Sequence, residues 1–192
     1  MDKISDLLQF NTWGTLSVIA GDNRPVCIPM SYVAYKNQIF FHSVPETQIA
    51  KLTTKEMCFS CVDELSFIPG AWMTLSGNPG IGTVFYRSVL ISALPLVVTS
   101  VEEKSEILNQ LCEKFEPGGS YKKIHPTNLA IKRMTIWGLD ISKATYRARL
   151  GENLGHAVQM RIIRNLKERG RVLDQRTIAL MEKRSFMGDS KE

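Results

Sequence analysis

Long hydrophobic runs are absent from this sequence. No window of its 192 residues approaches the ~18 consecutive apolar residues of a membrane-spanning helix. The first ten residues, MDKISDLLQF, carry acids at Asp2 and Asp6, where a signal peptide would have basic residues and then a longer apolar stretch. We therefore expect a soluble, cytoplasmic protein with no membrane partner.

Histidine is scarce, and the motifs of common catalytic centres are missing. The histidines are His42, His125 and His156, and no G-x-S-x-G motif accompanies them, which argues against a serine-hydrolase triad. A P-loop is absent as well. The glycines of SGNPGIG, residues 76–82, are in the wrong order for a dinucleotide-binding fingerprint. The sequence therefore assigns no catalytic residue.

Cysteine is sparse and has no pattern of a disulfide framework. Cys27, Cys58, Cys61 and Cys112 lie within apolar stretches, and a chain of this size does not need disulfides for stability. Cys58 and Cys61 form a C-x-x-C motif, but an offset of three along a strand directs two side chains to opposite faces. No second ligand pair could complete a zinc site. We predict reduced, structural thiols and no metal.

Acidic residues are too few near the C-terminus to balance the basic ones. The net charge of the chain is +5. Residues 143–192 hold 12 Lys and Arg against 6 Asp and Glu, a net charge of +6, whereas residues 1–142 hold 12 against 13, a net charge of −1. Ile162, Ile163 and Leu166 fall on one side of a helix in this tail. The pattern favours a subunit-packing arm with a solvated basic face over an arm that binds nucleic acid.

The chain has enough apolar residues, 44%, for one core or for a core with an appendage. Several segments alternate apolar and polar residues as half-buried strands do. Pro29 suggests an edge position or a bulge, Lys36-Asn37 a tight turn, and Gly138 a bend or bulge, whereas residues 63–83 form a long loop. The predicted strands are residues 14–20, 26–35, 38–43, 57–62, 84–98 and 128–149.

Helical spacing of apolar residues predicts helices between and beside these strands. The first covers Ile4 to Leu8, and a short one contains Ile49 and Leu52. A longer helix follows Ser100, which serves as its N-cap with Glu103 as capping-box partner. Five or six antiparallel strands with helices at the edges predict a mainly β fold, either a closed or a split barrel.

Three segments occur in a recognisable order: RPVCIPMSYVAYKNQIFFHS at 24–43, a short helix, and YRSVLISALPLVVTSVEEKSEIL at 86–108. This order resembles the FMN-binding split-barrel family of pyridoxamine 5'-phosphate oxidase, and within it the nitroimidazole-resistance (Nim) type. The matching positions are Pro25, Pro29 to Tyr32, Phe41-His42, Ser88-Val89 and Glu102 to Lys104. The resemblance implies a six-stranded antiparallel split β-barrel of the FMN-binding type at residues 1–150, followed by a basic helical extension at 151–192.

The resemblance also implies a homodimer with FMN at the subunit interface. The main chain of the second strand, the end of the third strand and the start of the following helix would hold the cofactor. A helix start offers unpaired N–H groups to a phosphate, and Met30, Tyr32 and Trp72 would provide apolar walls. The implied cofactor-binding residues are Cys27, Ile28, Pro29, Met30, Phe41, His42, Ser43, Thr47, Gln48, Lys51, Arg87 and Ser88.

One segment departs from the family pattern. Members usually place a small residue and two basic residues where this chain has Thr47-Gln48-Ile49. Lys51 or Arg87 would have to supply the missing charge, although each also has an ordinary interpretation as a solvated surface residue. His42 shares a face with Phe40 by strand alternation, and it either caps its strand or lines the cofactor. The resemblance favours the second role.

The predicted function is that of an FMN-dependent oxidoreductase. It would pass electrons from a reduced nicotinamide or another donor to a small organic acceptor, of which a nitro compound is one candidate. Two alternatives stay open at this point: a non-catalytic flavin- or haem-binding protein of the same fold, and nucleic-acid binding through the basic tail.

Overall fold

The computed structural model describes residues 3–20, 22–43 and 56–188, with side chains as far as Lys183. The fold is mainly β, with antiparallel sheets and peripheral helices, as predicted. The strands are β1 (Trp13–Ile19), β2 (Pro25–Ser31), β3 (Val33–Tyr35), β4 (Gln38–Ser43), β5 (Met57–Ile68), β6 (Thr83–Ala93), β7 (Leu96–Val97), β8 (Thr135–Asp140) and β9 (Ala144–Arg149). The helices are α1 (Lys3–Phe10), α2 (Gly70–Met73), α3 (Val101–Phe115), α4 (Leu129–Arg133), α5 (His156–Arg169) and α6 (Val172–Gly188).

The strands form two sheets. One has five strands in the order β2-β1-β5-β6-β9, and the other has four in the order β3-β4-β8-β7. By their internal packing the residues divide into two compact units. Unit 1 comprises Met1–Val62 and Ser88–Tyr146, and unit 2 comprises Asp63–Arg87 and Arg147–Glu192. The domain boundary expected near residue 150 stays a prediction.

The predicted count of six strands is not confirmed, because the described part of the chain contains nine. Three of the predicted strands are each interrupted and continue in the other sheet: β2 into β3, β6 into β7, and β8 into β9. Tyr32 separates the first pair, and Leu94-Pro95 separates the second, where proline has no N–H to offer a ladder. A short 3-10 helix at Ile141–Lys143, capped by the Asp140 carboxylate on the Ser142 N–H at 2.8 Å, separates the third.

Three further predictions need correction. Gly138 does not mark a bend; it lies within β8 opposite Phe40, where a Cβ would overlap Gln38 Oε1 and the Phe40 ring. The predicted loop at 63–83 begins later, because β5 continues to Ile68 and α2 follows at once. The last predicted strand begins at Thr135, since Asn128 caps α4 through the Ala130 N–H at 3.0 Å.

Other local predictions are confirmed. Helix α3 follows its N-cap Ser100, whose hydroxyl accepts the Glu103 N–H at 3.2 Å. Lys36 and Asn37 both have positive φ, 45° and 60°, as the tight turn between β3 and β4 requires. Pro29 does lie in an edge strand, β2. The predicted helix containing Ile49 and Leu52 lies outside the described residues.

The core of unit 1 has two parts, one on each side of β4. Ile39 and Phe41 pack in a cluster with Leu16 and Phe59 of the five-stranded sheet and with Leu7 of α1. On the opposite face, the side chain of Phe40 belongs to a second cluster, which includes Ile107 and Leu108 of α3. The predicted alternation of β4 is therefore confirmed, and His42 belongs to the Phe40 face.

Unit 2 has a core of its own. Leu65 and Phe85 pack with Ile162 and Leu166 of α5 and with Met181 of α6. The apolar stripe expected in the tail is thus buried within this unit. Across the described ranges, no helix combines the length and apolarity that crossing a membrane would need.

Candidate functional site

The edge strand β2 carries the first four predicted cofactor-binding residues, Cys27 to Met30. It pairs with β1 on one side, with Ser17 opposite Cys27 and Thr15 opposite Pro29. A proline in an edge strand directs its nitrogen away from the ladder, and residues two apart share that orientation. Cys27, Pro29 and Ser31 therefore present main-chain groups to the free edge, which pairs with no other strand of the described residues. The side chains of the alternate residues, Val26, Ile28 and Met30, pack against the core.

The outward face of the five-stranded sheet in unit 1 has no charge. Its strand segments, WGTLSVI, PVCIPMS, MCFSCV, SVLISA and ATY, contain no Asp, Glu, Lys or Arg. Strand alternation places small polar groups such as Ser17 and Ser60 on this face. Between them lie large apolar side chains that are about half exposed: Trp13 at 58%, Val62 at 57%, Leu90 at 45% and Ile19 at 42%. Ser88, another predicted site residue, belongs to the same face. We call this surface the uncharged face.

The end of β4 holds the next three predicted residues. Phe41 is buried and stacks on Trp137, with ring centroids 5.8 Å apart. His42 is half-buried opposite Ile136, and burial lowers its pKa, so the imidazole is neutral at pH 7. Ser43 is 8% exposed and ends the strand. The predicted phosphate ligands Thr47, Gln48 and Lys51 follow it and lie outside the described residues.

Arg87, the other predicted source of positive charge, is part of a buried ion cluster in unit 2. Its Nε and Nη2 donate to Asp63 Oδ2 at 2.9 and 2.8 Å. Arg176 Nη2 contacts the same oxygen at 2.5 Å. Arg87 and Asp63 side chains are 7% and 2% exposed. The guanidinium is therefore directed at a carboxylate of its own unit, and its role as a phosphate ligand stays a prediction.

The three expected apolar walls have the following contacts within their own units. Tyr32 is fully buried, and its hydroxyl donates to the Leu8 carbonyl at 2.9 Å. Trp72 lies in unit 2, where the Arg169 guanidinium stands 4.8 Å from its ring centroid. Met30 remains on the core side of β2.

A buried polar cluster in unit 1 was not predicted from the sequence. Lys114 Nζ donates to the carbonyls of Leu8 and Tyr32, both at 3.1 Å, and lies 3.9 Å from the centroid of the Tyr32 ring. Cys61 Sγ accepts from Asn11 Nδ2 at 3.0 Å and is 3.3 Å from the Tyr32 hydroxyl. Burial lowers the pKa of Lys114 to about 8 and raises that of Tyr32 well above its usual value. No local pattern could have revealed this cluster, because its members come from four separate segments.

The cysteines follow the predicted alternation. Cys61 is buried in the core, whereas Cys58 lies on the other face of β5 and is half-exposed. All four cysteines are free. In the part of the chain that the structure describes, no group of three or more His, Cys, Asp or Glu side chains could hold a metal ion.

A sequence model described as pyridoxamine 5'-phosphate oxidase matches residues 1–148. The chain belongs to this family. The matched segment contains all twelve predicted cofactor-binding residues, all of unit 1, and β9 except for its last residue. Among curated protein sequences, no match was found.

Solved structures share the fold at low sequence identity. A flavocytochrome from Azotobacter vinelandii aligns with a TM-score of 0.67 at 14% identity, over 77% of this chain and 67% of that one. An FAD and heme binding protein from Mycobacterium smegmatis aligns at 0.61 and 15%, over 76% and 69%. A candidate 5-nitroimidazole antibiotic resistance protein from Bacteroides thetaiotaomicron aligns at 0.60 and 14%, over 76% and 82%.

Proposed function

We propose that the chain is an FMN-binding oxidoreductase that works as a homodimer of split barrels, with the cofactor at the subunit interface. The observation that carries this proposal is the family membership, since the matched segment contains every predicted cofactor-binding residue. FMN supplies the redox chemistry when it is bound, and the protein supplies binding, orientation and the exclusion of water.

The described residues fit the ring system of a flavin. A flavin ring is flat and apolar, with hydrogen-bonding groups along one edge, so it needs main-chain partners beside an uncharged surface. The free edge of β2 offers the N–H groups of Cys27 and Ser31 and the carbonyl of Pro29. His42, neutral at pH 7, and Ser43 stand at the end of β4, directly before the predicted phosphate ligands.

The uncharged face supports the dimer. Exposed apolar patches between small polar groups are typical of protein interfaces, and most homodimers are two-fold symmetric, so each copy presents the same surface. A charged face could not be buried against itself without a partner for each charge. We therefore propose that the second copy covers this face and that the flavin lies along its β2 border.

The electron donor is proposed to be a reduced nicotinamide or a comparable hydride donor, and the acceptor a small organic molecule such as a nitro compound. The likeness in fold to the candidate nitroimidazole-resistance protein supports this choice of acceptor. The four free cysteines support a reducing, cytoplasmic location.

The colour of the purified protein is the first test. Flavin absorbance with FMN released on denaturation would support the proposal, and a protein that binds no flavin on reconstitution would overturn it. A Soret band would instead favour the haem-binding alternative. The flavocytochrome and the FAD and heme binding protein, which share the fold of this chain, support that alternative.

The sequence departure at Thr47-Gln48-Ile49 gives a sharper test of the phosphate position. Neutral donors bind a phosphate more weakly than charged ones, so FMN should be partly lost during purification. Replacing Gln48 and Ile49 by Arg and Lys should tighten FMN binding by about 1.5–3 kcal/mol, the range for hydrogen bonds to charged groups. Titration of the apo protein measures this change. Riboflavin, which has no phosphate, is the control ligand and should show no gain.

A further inference from the structure

Unit 2 contains a cavity of about 230 Å³ that the flavin proposal does not use. Apolar side chains from three parts of the unit form its wall: Met73 of α2, Phe85 of β6, and Leu154 of the segment after β9. Phe85 is buried and the other two are half-buried, so this wall of the cavity is apolar. Its volume lies below the roughly 300–1,000 Å³ of pockets for drug-sized ligands, which restricts the occupant to a small molecule.

The polar part of the cavity lining carries a single charge. Arg149, the last residue of β9, is exposed at the cavity and makes no ion pair or side-chain hydrogen bond with the described part of the chain. The nearest carboxylate along the chain, that of Glu152, accepts the Leu150 N–H at 2.8 Å and does not line the cavity. The guanidinium therefore keeps its full set of donors for a ligand.

Two neutral side chains add hydrogen-bonding capacity beside this charge. The Thr83 hydroxyl makes only a long 3.4 Å contact with the Val84 carbonyl. The Asn153 amide has no hydrogen bond within the described residues. An apolar wall with a few convergent polar groups and one cation is the general form of a site for a small amphipathic anion.

We propose that this cavity binds a small organic monocarboxylate with a flat apolar body, such as an aromatic acid. The planar guanidinium of Arg149 matches a carboxylate with two parallel N–H···O bonds, and the wall of Met73, Phe85 and Leu154 accepts the ring. One unpaired cation balances one carboxylate. Residues 149–154 lie beyond the segment that matches the family, so this site does not rest on the flavin proposal.

The test uses the full-length protein and benzoate as the probe. Calorimetry should give a dissociation constant of about 1 mM or tighter, and benzyl alcohol, of similar shape without the charge, should bind at least tenfold more weakly. Arg149→Gln should weaken benzoate binding at least tenfold. Arg164→Gln is the matched control, because it removes another exposed cation, on α5, that does not line the cavity, and it should have no effect.

Leu154→Trp is a second variant that fills the cavity with the charge kept, and it should also abolish binding. Folding of each variant is checked by circular dichroism. Absence of benzoate binding to the wild-type protein would overturn the proposal. Binding that survives Arg149→Gln, or that Arg164→Gln weakens equally, would overturn it too, because the cation would then act only as general surface charge.

Flavin content provides an independent readout, and Arg149→Gln should leave it unchanged. A loss of flavin would assign Arg149 to the cofactor and would also contradict the proposal.

Discussion

The two units differ in the contacts that hold their strands and helices together. Unit 1 packs apolar side chains on both faces of β4, and its five-stranded sheet segments have no charge. Unit 2 buries ions: Asp63 holds Arg87 and Arg176, and Asp174 holds Arg169. The change occurs within single strands, since β5 runs from Val62 of unit 1 into Asp63 of unit 2. A surface without charge is suited to self-association, whereas buried ions fix the orientation of α6 but make it sensitive to the loss of one partner.

The largest expected effect is in unit 2. Asp63→Leu would remove the carboxylate that the buried Arg87 guanidinium contacts and should destabilise the unit by about 3–5 kcal/mol. Hydrogen exchange of residues 63–87 and 147–183, compared with that of α3, measures the effect. Removing both charges with Asp63→Leu and Arg87→Met should cost less than Asp63→Leu alone. If the two changes were additive, the ion pair would not be what orders this unit.

The next effect is in unit 1. Leu90→Glu places a charge on the uncharged face, and in a two-fold dimer each Glu would be buried without a partner. Dimerisation should weaken by several kcal/mol, with flavin lost at the same time. Leu129→Glu is the control, since Leu129 is 73% exposed on α4, away from this face. Sedimentation equilibrium gives both constants. Equal effects of the two variants would mean that the uncharged face is not the interface.

Acid should affect unit 2 first. Arg169, and after it Ser66, hold the pKa of Asp174 well below its usual value of 3.8. A carboxyl whose pKa is lower in the folded state contributes stability above its unfolded pKa and loses it as the pH falls through the folded one. Unit 2 should therefore weaken below about pH 4. Asp174→Asn should be less stable at pH 7 and less sensitive to acid, whereas Glu64→Gln, at an exposed position of β5, should keep the wild-type profile. Denaturant unfolding between pH 3 and 7 measures these stabilities. If Asp174→Asn lost as much stability in acid as the wild-type protein, the account would be wrong.

The smallest effect concerns Lys114 in unit 1. Burial lowers its pKa to about 8, below the usual 10.5, so between these values the unfolded chain binds more protons than the folded one. Stability should therefore rise with pH across that interval. Lys114→Met should remove the rise while keeping most of the packing of the side-chain stem. Unfolding free energies measured from pH 8 to 10 test this, and a rise that persists in Lys114→Met would have to come from another group.

Local patterns in the sequence predicted the elements that depend on neighbouring residues. The N-cap at Ser100, the turn at Lys36-Asn37, the edge position of Pro29 and the alternation along β4 are all of this kind. The interruptions at Tyr32 and at Ile141–Lys143 were missed, because apolar alternation continues through them. At Tyr32 the contact is tertiary, the bond from its hydroxyl to the Leu8 carbonyl, whereas at Ile141–Lys143 it is the local Asp140 cap on the Ser142 N–H.

The candidate site divides in the same way. Cys27 to Met30 and His42 could be selected because strand order and spacing resemble a family. The ion cluster of Arg87, Asp63 and Arg176 could not be predicted from the sequence. Arg176 lies 113 positions from Asp63, and in the sequence both arginines look like ordinary surface charges. The cavity at Arg149 was missed for the same reason, since its wall comes from three separate segments.

The central claim is that two copies of unit 1 share a flavin at the uncharged face, and sedimentation of the FMN-saturated protein tests it most directly. Detected by flavin absorbance, the wild-type chain should sediment as a dimer that carries one FMN per subunit. The Leu90→Glu variant should sediment as a monomer, with the flavin left free in solution. A wild-type monomer that retains stoichiometric FMN, or a dimer that takes up none, would contradict the account.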